Sequence, residues 1–136
     1  MQLNPYLVYN GDCEAALKFY QNALGARIET MLLFEAAPAD MPMPPDWKKK
    51  VMHAVITVDG EVLMASDAPP DRYRAPQGFS VALQVENPAE AERRFKALAD
   101  GGAVTMPFGQ TFFSRGFGMC TDRFGIPWMV NCPAET

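Results

Sequence analysis

The sequence predicts an α+β fold. Two paired βαβββ modules have mixed sheets curled into a cup, with helices on the outer face. Three observations predict it. β-rich runs and an amphipathic helix follow one another in the same order in both halves. Short stretches of residues recur between the halves. Cap and turn residues fall between the runs, where a βαβββ unit needs its chain reversals.

In the first half, residues 4–9 read as a short strand ended by Asn10-Gly11-Asp12. Asp12 is placed to cap a helix, and Ala16, Leu17, Tyr20 and Leu24 follow at helical spacing. Gly25 stands where a helix C-cap belongs. Residues 26–35 and 51–58 read as strands. Asp59-Gly60 is a hairpin signal, and 61–66 is the returning strand.

The second half repeats this order. Residues 79–85 form a β-rich run, and Asn87-Pro88-Ala89-Glu90 is a capping box with proline at the first helical position. Ala91, Phe95 and Leu98 supply the apolar stripe, and Gly101-Gly102 ends the helix. Residues 103–106, 116–121 and 126–132 read as strands. Gly25-Ala26-Arg27-Ile28-Glu29-Thr30-Met31 resembles Gly102-Ala103-Val104-Thr105-Met106, and Gly60-Glu61-Val62-Leu63-Met64 resembles Gly125-Ile126-Pro127-Trp128-Met129. One such unit cannot cover both faces of its sheet, whereas a pair can share an interior. The modules span about residues 1–70 and 78–136 of one domain, a usual domain size.

Residues 36–50 and 67–78 look irregular. The density of proline in the first blocks both helix and central strand. Trp47 within it suggests a lid or a subunit contact.

Composition narrows the function. The net charge of −4 leaves no basic stripe for nucleic acid or an anionic membrane surface. No apolar run is long enough for a membrane helix, and the start carries no leader pattern. Three cysteines without a CxxC pair argue for a reducing, cytoplasmic setting rather than a disulfide framework.

The stretches PYLVYNGDCEAALKFYQNALGA, DWKKKVMHAVI, EAERRFKALADGG and FGMCTDRFGIPWMVNC resemble the vicinal oxygen chelate superfamily. This superfamily includes glyoxalase I, extradiol dioxygenases and bleomycin-resistance proteins. More narrowly, they are similar to its PhnB-like group, often labelled 3-demethylubiquinone-9 3-methyltransferase-like. The resemblance implies homodimers and a divalent metal held by the first and last strands of each module. Carried over residue by residue, those ligand positions fall at Pro5, Met64, Ser80 and Met129, with Met64 uncertain by one residue. Proline offers no donor, serine is a poor ligand, and thioether sulfur is too soft for Zn, Mg or Mn. The expectation is a vestigial metal site and no cofactor. The methyltransferase label also finds no support, because no helix follows Gly116 and Gly118 to present amides to a cofactor.

With Pro5, Ser80 and Met129 facing the cup, alternation brings Leu7, Ala82, Gln84, Pro127 and Asn131 with them, and His53, Val55 and Thr57 from the third strand. Tyr6, Val8, Val81, Leu83, Trp128 and Val130, with Met52, Ala54, Ile56 and Val58, would face the helices. The ligand-binding candidates are His53, Ser80, Gln84, Phe113, Met129 and Asn131. His53, the one histidine, is the side-chain type that could transfer protons near pH 7. Phe112, Phe113 and Phe117 can offer a stacking surface, and Arg115 can clamp an anion. The leading expectation is a metal-free protein, enzymatic or not, that takes a small apolar or aromatic molecule. The alternatives are a metal-dependent lyase or transferase using His53, Asp59 and Glu61, and a drug-sequestering resistance protein.

Overall fold

The computed structural model describes residues 1–135. The chain divides into two compact units, Met1–Arg74 and Ala75–Thr136. Each is a βαβββ module. The first runs β1 (Tyr6–Tyr9), α1 (Cys13–Leu24), β2 (Arg27–Leu33), β3 (Val51–Val58) and β4 (Glu61–Asp67). The second runs β5 (Val81–Gln84), α2 (Pro88–Ala99), β6 (Ala103–Gly109), β7 (Ser114–Thr121) and β8 (Pro127–Pro133). The sheet orders are β1-β4-β3-β2 and β5-β8-β7-β6. In both, the first strand lies parallel to the last and the remaining pairs are antiparallel. The crossover helix makes this possible, because a parallel pair needs a long connection.

Each helix lays one apolar stripe on its own sheet. In the first unit Cys13, Ala16, Leu17, Tyr20, Ala23 and Leu24 are the buried side of α1, and Leu7, Tyr9, Ala54, Ile56, Leu63 and Ala65 are the buried side of the sheet. The Tyr9 and Tyr20 hydroxyls, both deep in this core, satisfy each other at 2.8 Å. In the second unit Ala91, Phe95 and Leu98 form the buried stripe of α2. They share this core with Val81, Cys120, Trp128, Val130 and Cys132. The inward positions of β7 include Gly116 and Gly118. A Cβ at Gly116 would lie 2.5 Å from the Phe108 ring, and one at Gly118 would lie 2.8 Å from Phe95. These glycines therefore make room for aromatic packing.

The caps differ from expectation in instructive ways. Gly25 ends α1 in the left-handed region at φ 68°. Asp12 precedes α1, but its side chain makes no capping hydrogen bond. Asp67, at the end of β4, does that work: its carboxylate accepts the N–H groups of Gly11 and Cys13, each at 2.9 Å. Asn87 caps α2 by accepting from the Glu90 N–H at 3.0 Å. The Glu90 side chain turns instead to Arg93 and Arg94. Those guanidiniums hold its carboxyl down at about 2.

Two face assignments are corrected. In β1 the buried residues are Leu7 and Tyr9, while Tyr6 is 44% exposed. Tyr6 and Val8 therefore lie on the face turned away from α1, and Leu7 lies against it. In β3 Val51 rather than Met52 is buried at the strand start. The β2–β3 register slips between Leu32 and Leu33, and this bulge shifts the alternation there. Further along β3, Ala54, Ile56 and Val58 are buried, with His53, Val55 and Thr57 between them.

Candidate functional site

Met64, His53, Gln84, Met129 and Asn131 fall on the open sheet faces, those not covered by a helix of the same unit, whereas alternation puts Pro5 on the side of Leu7. In the first unit, Tyr6 pairs with Met64, and Met64 with Val55. Pro5 lies one residue before β1 and contributes its carbonyl, which accepts the Met64 N–H at 3.0 Å. The side chain that shares the face of Met64 is thus Tyr6. In the second unit the corresponding pair is Ala82 and Met129. Ser80 lies just ahead of β5, on the same side as Ala82 by alternation. The cross-strand pairs beside the expected positions Pro5, Met64, Ser80 and Met129 are therefore Tyr6 with Met64 and Ala82 with Met129.

This donor set does not fit a divalent metal. Two thioethers, a methyl group and a phenol hydroxyl stand there, not the hard N and O ligands such an ion needs. Among the described residues, no three His, Cys, Asp or Glu side chains come together to hold an ion. The grouping of His53, Asp59 and Glu61 does not form either. Glu61 pairs with Val58 at the hairpin end of β3. His53 is five residues back along the strand, roughly 16 Å away.

The open face of the first unit instead brings Tyr6 and His53 together. The Tyr6 hydroxyl and His53 Nδ1 are 3.2 Å apart. Their rings stack with centroids 5.8 Å apart and planes inclined by 28°. The pair spans β4, because β1 and β3 both flank that strand. Leu32 stands opposite His53 across β2–β3. Sequence reasoning missed Tyr6 because 6–9 is apolar or aromatic at every position, so alternation carried no phase.

On the open face of the second unit, Asn131 pairs with Gln84 on one side and Phe117 on the other. Asn131 Nδ2 donates to Gln84 Oε1 at 2.8 Å. Asn131 Oδ1 is buried and meets no hydrogen-bond partner among the described residues. Phe113 packs edge-on against Phe117 at 5.2 Å, and Phe112 against Phe113 at 5.2 Å. Phe112 is fully exposed and Phe113 is 47% exposed. Met119 and Met129 pair further along the same face. Four expected site residues, Gln84, Phe113, Met129 and Asn131, thus lie in the second unit, together with Ser80, while His53 lies in the first.

Two other expected roles are reassigned. Arg115 is not a free anion clamp. Its guanidinium donates to the carbonyls of Pro133 and Glu86 at 3.0 and 2.8 Å and to Glu135 at 3.1 Å. It thereby ties the end of β8 to the end of β5, beside a shallow cleft lined by Glu86, Pro133 and Ala134. Trp47 is buried rather than displayed. Its ring lies under Lys50, 5.8 Å from the ammonium, and against the Gly11 turn.

A family model described as the Glyoxalase/Bleomycin resistance protein/Dioxygenase superfamily matches residues 2–130. The chain belongs to this superfamily. A relative within reach of sequence is Protein YjdN of Escherichia coli (strain K12), 34% identical over 96% of this chain and 95% of that protein. Among solved structures, protein PA1353 from Pseudomonas aeruginosa is 49% identical. It superposes with a TM-score of 0.86 over 99% of both chains. A PhnB protein from Bacillus cereus is 25% identical, with a TM-score of 0.80 over 97% of this chain and 99% of that one. As a superfamily member, the chain keeps the βαβββ modules. No helix among the described residues is long and apolar enough to cross a membrane.

Proposed function

We propose that this superfamily member binds a small planar, apolar or aromatic molecule without a metal at the family's ligand positions. One observation carries the reading. The exposed Phe113–Phe117 edge cluster and the Gln84–Asn131 amide pair share one sheet face, with Met119 and Met129 extending the apolar part. Small-molecule sites combine such apolar walls with a few convergent polar groups. Aromatic edges and faces favour planar ligands, and methionines adapt to their outline. A second copy of the chain is the expected partner, because β6 is an exposed edge strand bearing Val104 and Met106.

Titration with 2-naphthol, followed by calorimetry, tests the reading. Binding is expected to persist in EDTA. It is expected to weaken about tenfold in Phe113→Ala and Phe117→Ala, the loss of one aromatic contact. Loss of binding in EDTA, or unchanged binding in both variants, overturns it. Light scattering at twice the 15.0 kDa chain mass supports the second copy.

A further inference from the structure

We propose that the molecule bound by the second unit carries an O–H or N–H donor on the rim of its ring, and that Asn131 Oδ1 accepts it. The proposal rests on the aromatic-ligand reading above and narrows its substrate class to phenols and ring N–H compounds. The large majority of buried side-chain polar atoms have a hydrogen-bond partner. Asn131 Oδ1 is buried and has none among the described residues. Nδ2 of the same amide is held by Gln84 Oε1 at 2.8 Å. One half of the amide is thus fixed, and the other half is left open.

The surroundings show why no protein group fills the place. Across the ladder Asn131 is flanked by Gln84 and Phe117. Gln84 meets it with an acceptor, and the Phe117 ring has no donor to give. Along β8 the neighbours on this face are Met129 and Pro133, whose side chains carry no polar hydrogen. Arg115, two residues before Phe117 on the same face, spends its guanidinium on Pro133, Glu86 and Glu135.

A cavity adjoins the open oxygen. Arg115 and Pro133 lie one residue pair beyond Phe117 and Asn131, roughly 7 Å along the strands. With Glu86, Ala134 and Glu135 they line a cleft of about 550 Å³, within the usual range for small-molecule sites. A flat ring entering from this cleft against Phe117 brings its rim to the Asn131 amide. Asn131 is only half-buried, so a small turn of its amide presents the oxygen. A ring without a donor leaves that oxygen unpaired, and sites of this kind discriminate by that penalty.

Calorimetry with 2-naphthol and its methyl ether, 2-methoxynaphthalene, tests the proposal. The two probes share the ring and differ in the donor. The wild-type chain is expected to bind 2-naphthol about tenfold more tightly, the scale of one buried acceptor left unpaired. Asn131→Leu, close in volume and without an acceptor, is expected to bind the two probes alike. The wild-type comparison needs no variant, so it stands even if Asn131→Leu does not fold. A wild-type chain that binds the ether as tightly as 2-naphthol, or a preference that survives in Asn131→Leu, overturns the proposal. Either result leaves the aromatic-ligand reading in place, because both probes still bind. Binding of neither probe overturns both.

Discussion

The Asp67 carboxylate accepts the Cys13 N–H at 2.9 Å, so the last residue of β4 caps the first turn of α1. The same oxygen accepts from Gly11, and the other oxygen accepts from Val51 at the start of β3. One buried side chain thus ties together the β1–α1 turn, the helix and two strands. Asp67→Ala leaves these donors inside the fold without an acceptor. The expected loss is about 3–5 kcal/mol, several charge-assisted hydrogen bonds less partial rescue by water. Urea unfolding followed by far-UV circular dichroism measures it. A loss below about 1 kcal/mol, the scale of a single surface cap, contradicts the clip.

The second unit has its own buried carboxylate. Asp122 Oδ1 accepts the N–H groups of Phe124 and Ile126, and Oδ2 accepts Trp128 Nε1 at 2.8 Å. The turn before β8 and the largest core side chain are therefore fixed by one residue. Trp128→Phe keeps an aromatic ring but removes that donor and leaves a gap. It is expected to cost about 2–4 kcal/mol, combining a lost charge-assisted bond with a small cavity. The urea midpoint of the variant, set against wild type, decides it.

These two carboxylates mark where sequence reasoning stopped. The fold was legible because hydrophobic period and turn chemistry agree in both halves. Ala16, Leu17, Tyr20 and Leu24 announce α1, Asn87-Pro88 announces α2, and Asp59-Gly60 announces the β3–β4 hairpin. Long-range capping was not legible. Asp12 has the right place and chemistry for an N-cap, and only the fold brings Asp67, more than fifty residues on, to the Gly11 and Cys13 amides at the start of α1. Nor was the phase of β1 legible in Tyr6-Leu7-Val8-Tyr9, where every residue is fit for burial. That phase decides which residue joins His53.

Gly102 and Gly109 offer a paired test of how tightly the second unit is built. A Cβ at Gly102 would lie 2.1 Å from the Thr121 carbonyl oxygen, which is backbone and cannot swing aside. A Cβ at Gly109 meets nothing within 4 Å. Neither glycine has a positive φ, so strain in that region does not confuse the comparison. Gly102→Ala is expected to destabilise by about 2–3 kcal/mol, the scale of overpacking that shifts backbone. Gly109→Ala is expected to stay within about 0.5 kcal/mol, as open surface substitutions do. Equal unfolding midpoints for the two variants contradict the close approach of the α2–β6 turn to the end of β7.

The cysteines give a prediction in pH. Cys13, Cys120 and Cys132 are all free and buried. Burial, reinforced by Asp67, Asp12 and Glu14, pushes the Cys13 thiol far above its usual range. Burial, with Asp122 nearby, pushes the Cys120 thiol up to about 11. The thiolate is the reactive form, so neither thiol should attack a disulfide reagent in the folded chain at pH 8. In the unfolded chain both ionise near the ordinary value of about 8.5. The sign follows from proton counting. Above that value the unfolded state loses these protons while the folded state keeps them, so alkali favours unfolding. The contribution is whole below about pH 8.5 and is lost progressively as pH rises towards 11. Urea midpoints are therefore expected to fall between pH 8.5 and 11, and to fall less in Cys120→Ala than in wild type. Rapid labelling of the folded chain at pH 8, or an equal alkaline loss in Cys120→Ala, contradicts a buried, protonated Cys120.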